Sequence, residues 1–362
     1  MIIRRYLAKE VLITLAALTS ILLLIFMSNQ FVQYLTRSAN GSIPGIIIFK
    51  LMMLEIPNLV GLLLPLGLYM ALLVAYGRLY AESEMIVLQA CGYTQKQLIS
   101  STMVLALGTA MIAAVMTIWA RPIIEQDRQL LIKGGGASML IQAIIPQKFQ
   151  SLNAEKRLLY INEMSRDHKY AEGIFLAQRE EEKGKNGKSI WTLIWADKGF
   201  AQEDDSNEQF IVLEDGRVYK GAPGTGDFQN ISFKQYKIRL PQKDSKALVY
   251  DIRTQPSSAL LPFNNSDLTK AAELQWRLSI PLMALTLGLL AVPLSRVDPR
   301  RGKFAKILPA ILVYVVYANM MFVGRDWIIA KVVPVWLGLW WVHGAVLLLA
   351  IGLIWSSWRK RR

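Results

Sequence analysis

Six stretches of this chain run without Lys, Arg, Asp or Glu for roughly 18 residues or more, the length that carries a helix across the hydrocarbon of a bilayer. They are Val11 to Thr36, Ile56 to Tyr76, Gln97 to Ala120, Leu278 to Ser295, Ile307 to Gly324 and Val332 to Trp358. Hydrocarbon offers a peptide group no partner, so each stretch must close its hydrogen bonds internally, as a helix. A soluble core has no use for six such runs, and a hydrophobic share of 53% over 362 residues points the same way. The expected fold class is an α-helical integral membrane protein with six transmembrane helices and a long polar insert after the third.

The formal charge of +14 would suit a nucleic-acid partner if it gathered on one soluble surface. It follows the spans instead. With the N-terminus in the cytosol, the inner segments hold Arg4, Arg5 and Lys9, then Arg78 and Lys96, then Arg296, Arg300, Arg301, Lys303 and Lys306, and finally Arg359, Lys360, Arg361 and Arg362. The short outer loops hold only Arg37 and Lys50, then Arg325 and Lys331. The positive-inside rule therefore places both termini in the cytosol. Basic residues ahead of an apolar run also mark signal peptides, but this run is too long and lacks a small-residue cleavage site before Asn29, so an uncleaved first span is expected. Cys91 is the single cysteine, and no intramolecular disulfide can brace the insert.

From Arg121 to about Glu273 the composition turns mixed, with Gly, Pro, Asp and Asn clusters between short β-rich runs. Trp191, Leu193 and Trp195 alternate with Thr192 and Ile194, and Phe210 and Val212 with Ile211 and Leu213, a period of two that fits strands. With RLLYI and GIFLA the insert offers roughly six to eight strands, the makings of a sandwich, jelly roll or barrel. Asp215-Gly216, between QFIVLE and RVYKG, predicts a two-residue hairpin turn. Ile231 and Phe233 share one phase while Tyr236, Ile238 and Leu240 share the other, which predicts a β-bulge between them. Gly134, Gly135 and Gly136 at one end, with Pro256 and Pro262 at the other, read as joints or as simple turns. Apolar, aromatic-rich faces and open edges would let such a sheet hold acyl chains or extend into another sheet; a plain solubilising ectodomain needs neither.

No constellation for catalysis emerges. His168 and His343 share no metal-ligand spacing with each other or with Cys91, and His343, within the last span, reads as a packed neutral imidazole. Gly187-Lys188-Ser189 resembles the end of a P-loop, but Glu182 stands where the earlier glycine is required. The chain is not expected to hydrolyse ATP, so energy for any transport must come from a separate subunit.

The connection GRLYAESEMIVLQACGYTQKQL, on the cytosolic side, is the most informative stretch. Arg78 and Glu82 stand at i, i+4, Gly92 is placed to end a short helix with positive φ, and Thr94 with Gln97 forms a capping box opening the third span. Such a helix suits docking to a partner, or serves only as a solvated connector. Pro57, Pro65, Pro281, Pro293 and Pro309 lie within the spans, where they kink helices for gating or shape static packing.

YAESEMIVLQACGYT, AELQWRLSIPLMALTLGLLAVPLSRVDPRRGK and the opening MIIRRYLAKE together resemble the LptF/LptG permease family of lipopolysaccharide exporters. MIIRRY and the ESE tripeptide favour its LptF branch over its LptG branch. The match covers both membrane halves, and the insert by placement and strand character. The resemblance implies a membrane half over 1–120 with helices 1–3 and a cytosolic coupling helix, a periplasmic β-jellyroll over 121–266, and a second membrane half over 267–362 with helices 4–6. It implies a permease subunit of an ABC transporter that extracts lipopolysaccharide from the bacterial inner membrane and passes it to a periplasmic bridge towards the outer membrane. Implied partners are the sister permease LptG, an LptB ATPase dimer that binds ATP and Mg, LptC, and the bridge protein LptA; no cofactor is expected in this chain.

By the same resemblance, the helix around Ala81 to Ala90 seats in the ATPase with Arg78, Glu82 and Glu84 as coupling residues, and the first and fifth spans form lateral gates, at Phe31 and Leu312. The cavity of such a permease needs apolar walls for acyl chains and a basic rim for phosphates. That nominates Arg37, Arg325 and Lys331 as lipid-phosphate contacts, with Arg121 and Arg277 beside them; Gln30 and Gln33 leave Arg37 the nearest cation to the outer end of span one. A reading from another class, a membrane-anchored periplasmic scaffold or sensor, uses the same insert but has no need of six spans.

Overall fold

The computed structural model describes residues 2–39, 43–133, 146–152, 157–165, 170–181, 189–203, 209–222, 228–239, 251–261, 267–296 and 306–359. The expectations on Gly134 to Gly136, His168, Glu182, Gly187, Lys188, Leu240, Pro262, Arg300, Arg301, Lys303 and residues 360–362 fall outside them. The chain divides into two compact units, one of Met1–Asn29, Met52–Arg128 and Val249–Arg362, the other of Gln30–Leu51 and Gln129–Leu248.

Among the described residues the α-helices are α1 (Ile2–Ala39), α2 (Ile48–Ala81), α3 (Glu84–Ala90), α4 (Gln95–Ala114), α5 (Arg121–Lys133), α6 (Leu268–Leu294), α7 (Ile307–Ile329) and α8 (Trp340–Arg359). Among the described residues, five helical segments are long and apolar enough to cross a membrane: Ile2–Ala39, Gly45–Ala81, Gln95–Ile132, Leu268–Leu294 and Ile307–Ile329. A shorter apolar helix follows at Trp340–Ser356. A π-helical turn, Val115–Ala120, joins α4 to α5, so the helical run that begins at Gln95 continues through Lys133, past the point where the insert was expected to begin. Wide turns of this kind leave carbonyls without their usual partner, and Ser257 Oγ supplies one by donating to Ile118 O at 2.8 Å.

The expected sixth span, from Val332, becomes helical only at Trp340. Its first residues are held in turns by the buried amide of Gln275, whose Nε2 donates to Val335 O at 2.6 Å and whose Oε1 accepts from Leu339 N at 2.9 Å. A Cβ at Gly338 would lie 1.8 Å from that oxygen, so only glycine lets the loop close over the amide.

The apolar centre of this first unit is α2, where Leu68, Leu72, Tyr76 and Leu79 recur at helical spacing with no exposed surface. They pack with Leu7, Val11 and Leu15 of α1 and Leu287, Leu290 and Ala291 of α6. The polar centre is Glu273. Its carboxylate is fully buried and receives Arg325 Nη2 at 2.9 Å, Arg277 Nε at 3.2 Å and Arg121 Nη2 at 3.7 Å. Arg277 is also fully buried, donating to the carbonyls of Gln255 (2.9 Å) and Arg253 (3.0 Å) and to Ser257 Oγ (2.9 Å). Thus Arg277, nominated as a rim cation, is an internal strut. Arg325 is likewise drawn onto Glu273, with its guanidinium 5.5 Å over the Trp276 ring.

The second unit carries one antiparallel sheet: β1 (Gln150–Leu152), β2 (Arg157–Met164), β3 (Tyr170–Glu181), β4 (Ser189–Glu203), β5 (Gln209–Gly221) and β6 (Phe228–Arg239), paired in chain order as a meander. Both expected breaks in it are corrected. β5 runs straight through Asp215-Gly216, pairing Glu214 with Gln235 and Gly216 with Phe233, so no hairpin forms there. Nor is there a bulge in β6, because one register holds from Phe210↔Arg239 to Gly221↔Phe228.

The phase change is nonetheless present, and every strand from β2 to β6 shares it. Core residues run Leu159, Ile161 then Met164 in β2; Leu176, Ile174 then Ala171 in β3; Ile194, Ala196 then Gly199 in β4; Val218 then Leu213, Ile211 in β5; and Phe233 then Ile238 in β6. At the level of Asn162, Gly173, Asp197, Asp215 and Lys234 two successive residues face away from the core, although the registers on both sides stay aligned. In β3 and β5 the flip coincides with positive φ at Gly173 (64°) and Asp215 (47°). The sheet is therefore creased along a transverse line. Asp215 takes the positive φ that Asp-Gly signals and Gly216 does not, and because both flanks of β5 already have neighbours a reversal would forfeit two ladders of hydrogen bonds.

Two outcomes test this account. Glu273→Ala should destabilise the protein by about 3–5 kcal/mol, since three guanidiniums lose their carboxylate, while Lys270→Ala in the exposed Lys270–Asp267 pair should cost less than about 1 kcal/mol; denaturant unfolding in detergent measures both. At the crease, a Cβ on Gly216 would meet Trp195 O at 2.3 Å and the Phe233 ring at 2.4 Å. Gly216→Val should weaken the sheet by about 1–3 kcal/mol through overpacking, seen as faster proteolysis within β4–β6 of the intact chain.

Candidate functional site

The α2–α4 connection is built by local sequence. α2 ends at Ala81, and Ser83 at φ 62° turns the chain into α3. Gly92, at φ 93°, ends that helix as expected, and the capping box forms: Thr94 Oγ1 accepts from Gln97 N at 3.3 Å, and Gln97 Oε1 accepts from Thr94 N at 2.9 Å. Tyr93 hydrogen-bonds Ser101 Oγ at 2.7 Å, and Gln89 Nε2 donates to Tyr80 Oη at 3.3 Å, fastening the C-terminal end of α3 and the turn after it to α4 and α2. Met85 is buried beneath α3, whereas Ile86 and Val87 are more than half exposed. α3 thus has an anchored underside and an uncovered apolar edge at Ile86 and Val87.

Two of the residues expected to couple, Arg78 and Glu84, take partners that the sequence did not suggest. Arg78 pairs not with Glu82 but with Glu10 of α1, at 2.6 Å. Glu84 accepts from the Tyr6 hydroxyl at 2.9 Å, and Glu82 is exposed. Tyr6 and Glu10 were missed because they lie about 70 positions upstream, in a stretch that reads simply as the start of a span; their one-turn spacing is the only local signal.

Of the other nominated residues, Phe31 on α1 and Leu312 on α7 are both exposed, as a lipid-facing or gate-facing position requires. Arg37, in the last turn of α1, and Lys331, at φ 60° just after α7, are exposed. Arg121 is mostly buried against Glu273. Glu273 itself was not singled out, although Glu273 and Arg277 stand at i, i+4 and their spacing was readable. Deeper in the first unit, Thr286 Oγ1, Tyr317 Oη and His343 Nδ1 form a buried hydrogen-bonded chain across α6, α7 and α8. Among the described residues no group of three His, Cys, Asp or Glu could hold a metal ion.

The second unit presents two apolar surfaces. Ile174, Leu176, Ile194 and Val218 form the core face, and the opposite face carries a transverse aromatic row of Tyr160, Phe175 and Trp195, with Phe149 beside it at 4.8 Å from Tyr160. Trp195 belongs to this row and is half exposed.

Residues 5–356 match the family described as lipopolysaccharide export system permease LptF/LptG. The LptF permease proteins of Escherichia coli K12 and of Shigella flexneri are each 31% identical to this chain over 318 residues, 88% of this chain and 84% of theirs. The LptG permease protein of Escherichia coli K12 is 26% identical over 127 residues, 34% of this chain and 35% of its own. With nearly its whole length matched, from the opening of α1 to the last turns of α8, the chain belongs to the LptF/LptG family of lipopolysaccharide export permeases.

Proposed function

We propose that this chain is the LptF-type permease subunit of an ABC transporter that lifts lipopolysaccharide out of the bacterial inner membrane. What carries the LptF assignment over LptG is the breadth of the match, 88% of the chain against 34%. Six spans hold it in the bilayer, the sixth being α8, with both termini cytosolic and the second unit a periplasmic jellyroll-type domain. It pairs with LptG, is driven by an LptB dimer that binds ATP and Mg, and works with LptC and the bridge protein LptA. This chain contributes no catalysis.

Ile86 and Val87 offer α3 an apolar seat on the ATPase, with Glu82 and Glu84 supplying charge at its edge, so binding is driven by apolar burial and oriented by electrostatics. Phe31 and Leu312 face the acyl chains at the gates. Arg37 and Lys331, on flexible stems, can follow a lipid phosphate at the outer interface. The core face of the creased sheet then receives the acyl chains, keeping them from water at about 25 cal/mol per Å² of apolar surface covered.

Glu84→Lys reverses the charge on the seat of α3 and should lower co-purification of the ATPase about tenfold, equivalent to about 1.4 kcal/mol; undiminished association and lipid-stimulated turnover would argue against coupling through α3. A photo-crosslinking residue at Phe31 or Leu312 should yield lipopolysaccharide adducts in cells that require an active ATPase. In the sheet, a probe at Ile231, at the edge of the core face, should react and one at Trp195 should not. Adducts at Trp195 alone would move the lipid path to the aromatic face, and none anywhere in an exporting complex would favour the scaffold reading.

A further inference from the structure

We infer that Tyr6 and Glu10 of α1 are positioning residues for α3, so that a load applied to α3 is delivered to α1. The inference rests on the coupling reading above. Two contacts straddle the turn between α2 and α3: Arg78 Nη2 donates to Glu10 Oε2 at 2.6 Å on the near side, and the Tyr6 hydroxyl donates to Glu84 Oε2 at 2.9 Å on the far side. Tyr6 and Glu10 are one helical turn apart and so share a face of α1. Leu7 and Val11, one residue on from each, are completely buried in the same core as Leu79 and Met85. α1 thus shares its buried core with the residues flanking the turn and is hydrogen-bonded across it.

The turn itself is a hinge held under constraint. Ser83 sits at φ 62°, a conformation in which a non-glycine residue persists only when its surroundings impose it. α3 cannot tilt about Ser83 without parting Glu84 from Tyr6. The end of α2 cannot slide along α1 without parting Arg78 from Glu10. Both contacts are partly exposed, with Arg78 and Glu10 side chains 41% and 27% accessible, so neither is a strong stabiliser of the fold. They are suited to set the direction in which α1 follows α3. A carboxylate accepts on both oxygens, so Tyr6 can keep one oxygen of Glu84 while a cation of the ATPase takes the other.

The test uses the complete transporter, purified with its partner subunits and reconstituted in proteoliposomes, with ATP hydrolysed and lipopolysaccharide released measured together. Tyr6→Phe combined with Glu10→Gln should lower the lipopolysaccharide released per ATP about threefold, as loss of two modest hydrogen bonds allows, while ATP hydrolysis and subunit stoichiometry hold. Exchanging the charges, Glu10→Arg with Arg78→Glu, should restore most of the ratio lost in Glu10→Gln alone. A wild-type ratio in the double variant overturns the inference, as does a loss that the exchange fails to reverse, which marks plain packing damage. Glu84→Lys separates the two readings. If it leaves ATPase association intact, coupling through α3 fails; if it uncouples while Tyr6→Phe/Glu10→Gln does not, only the role of α1 fails.

Discussion

One buried carboxylate sets the terms for the helical unit. Glu273 has no exposed surface and faces three guanidiniums, two of them only about one-fifth accessible and one fully enclosed. Charges removed from water cost several kcal/mol each unless their partners are held in place, so α5, α6 and α7 must converge where these four residues meet. The same stretch of α6 also holds Gln275, which clamps the loop ahead of α8, and Trp276, which lies under Arg325. Arg277 draws in the chain from Ile252 to Ser257, and Ser257 in turn completes the π turn between α4 and α5. The first turns of α6 are therefore an organising centre, and apolar packing along α2 fills the space that they define.

What could be read directly from the sequence was whatever depends on residues close together in the chain. Charge-free runs located the membrane helices because hydrocarbon leaves the backbone no alternative, and the Thr94–Gln97 box and Gly92 marked helix ends because capping is settled within four residues. Partners far apart in the chain were not legible. Arg78 has a carboxylate at i+4 yet takes Glu10, 68 positions away, and Arg277 and Arg325 look like interfacial anchors until Glu273 is seen between them. Asp215-Gly216 shows a different failure: Asp215 does take positive φ while Gly216 does not, and whether positive φ makes a turn or a crease is decided by the strands on either side. The late start of α8 has the same character, since a distant glutamine, not Pro334 alone, keeps the preceding loop from joining the helix.

The candidate site divides its labour in a way that suits an export permease. The face of α3 that is uncovered is apolar, and the carboxylates beside it are either exposed or tied to α1, so under the proposed coupling recognition and transmission would use different atoms of one seven-residue helix. Exposed apolar residues on α1 and α7, by contrast, are ordinary for helices bathed in lipid; their significance comes from the family to which the chain belongs. The basic residues sort along similar lines, with Arg37 and Lys331 at the surface and Arg277 withdrawn into the interior.

The crease across the sheet bears on how such a domain can change over evolutionary time. Side chains in a strand alternate between faces, and here five strands reverse their parity at one level while keeping register with both neighbours. Deleting or inserting a single residue near that level in any one strand would leave one half of it correctly faced and turn the other half inside out. Loops at the strand ends can lengthen or shorten freely, but the spans through Asn162, Gly173, Asp197, Asp215 and Lys234 cannot change length one at a time. The line works as a shared reading frame, so relatives should differ in loop length and side chain far more readily than in residue count across it.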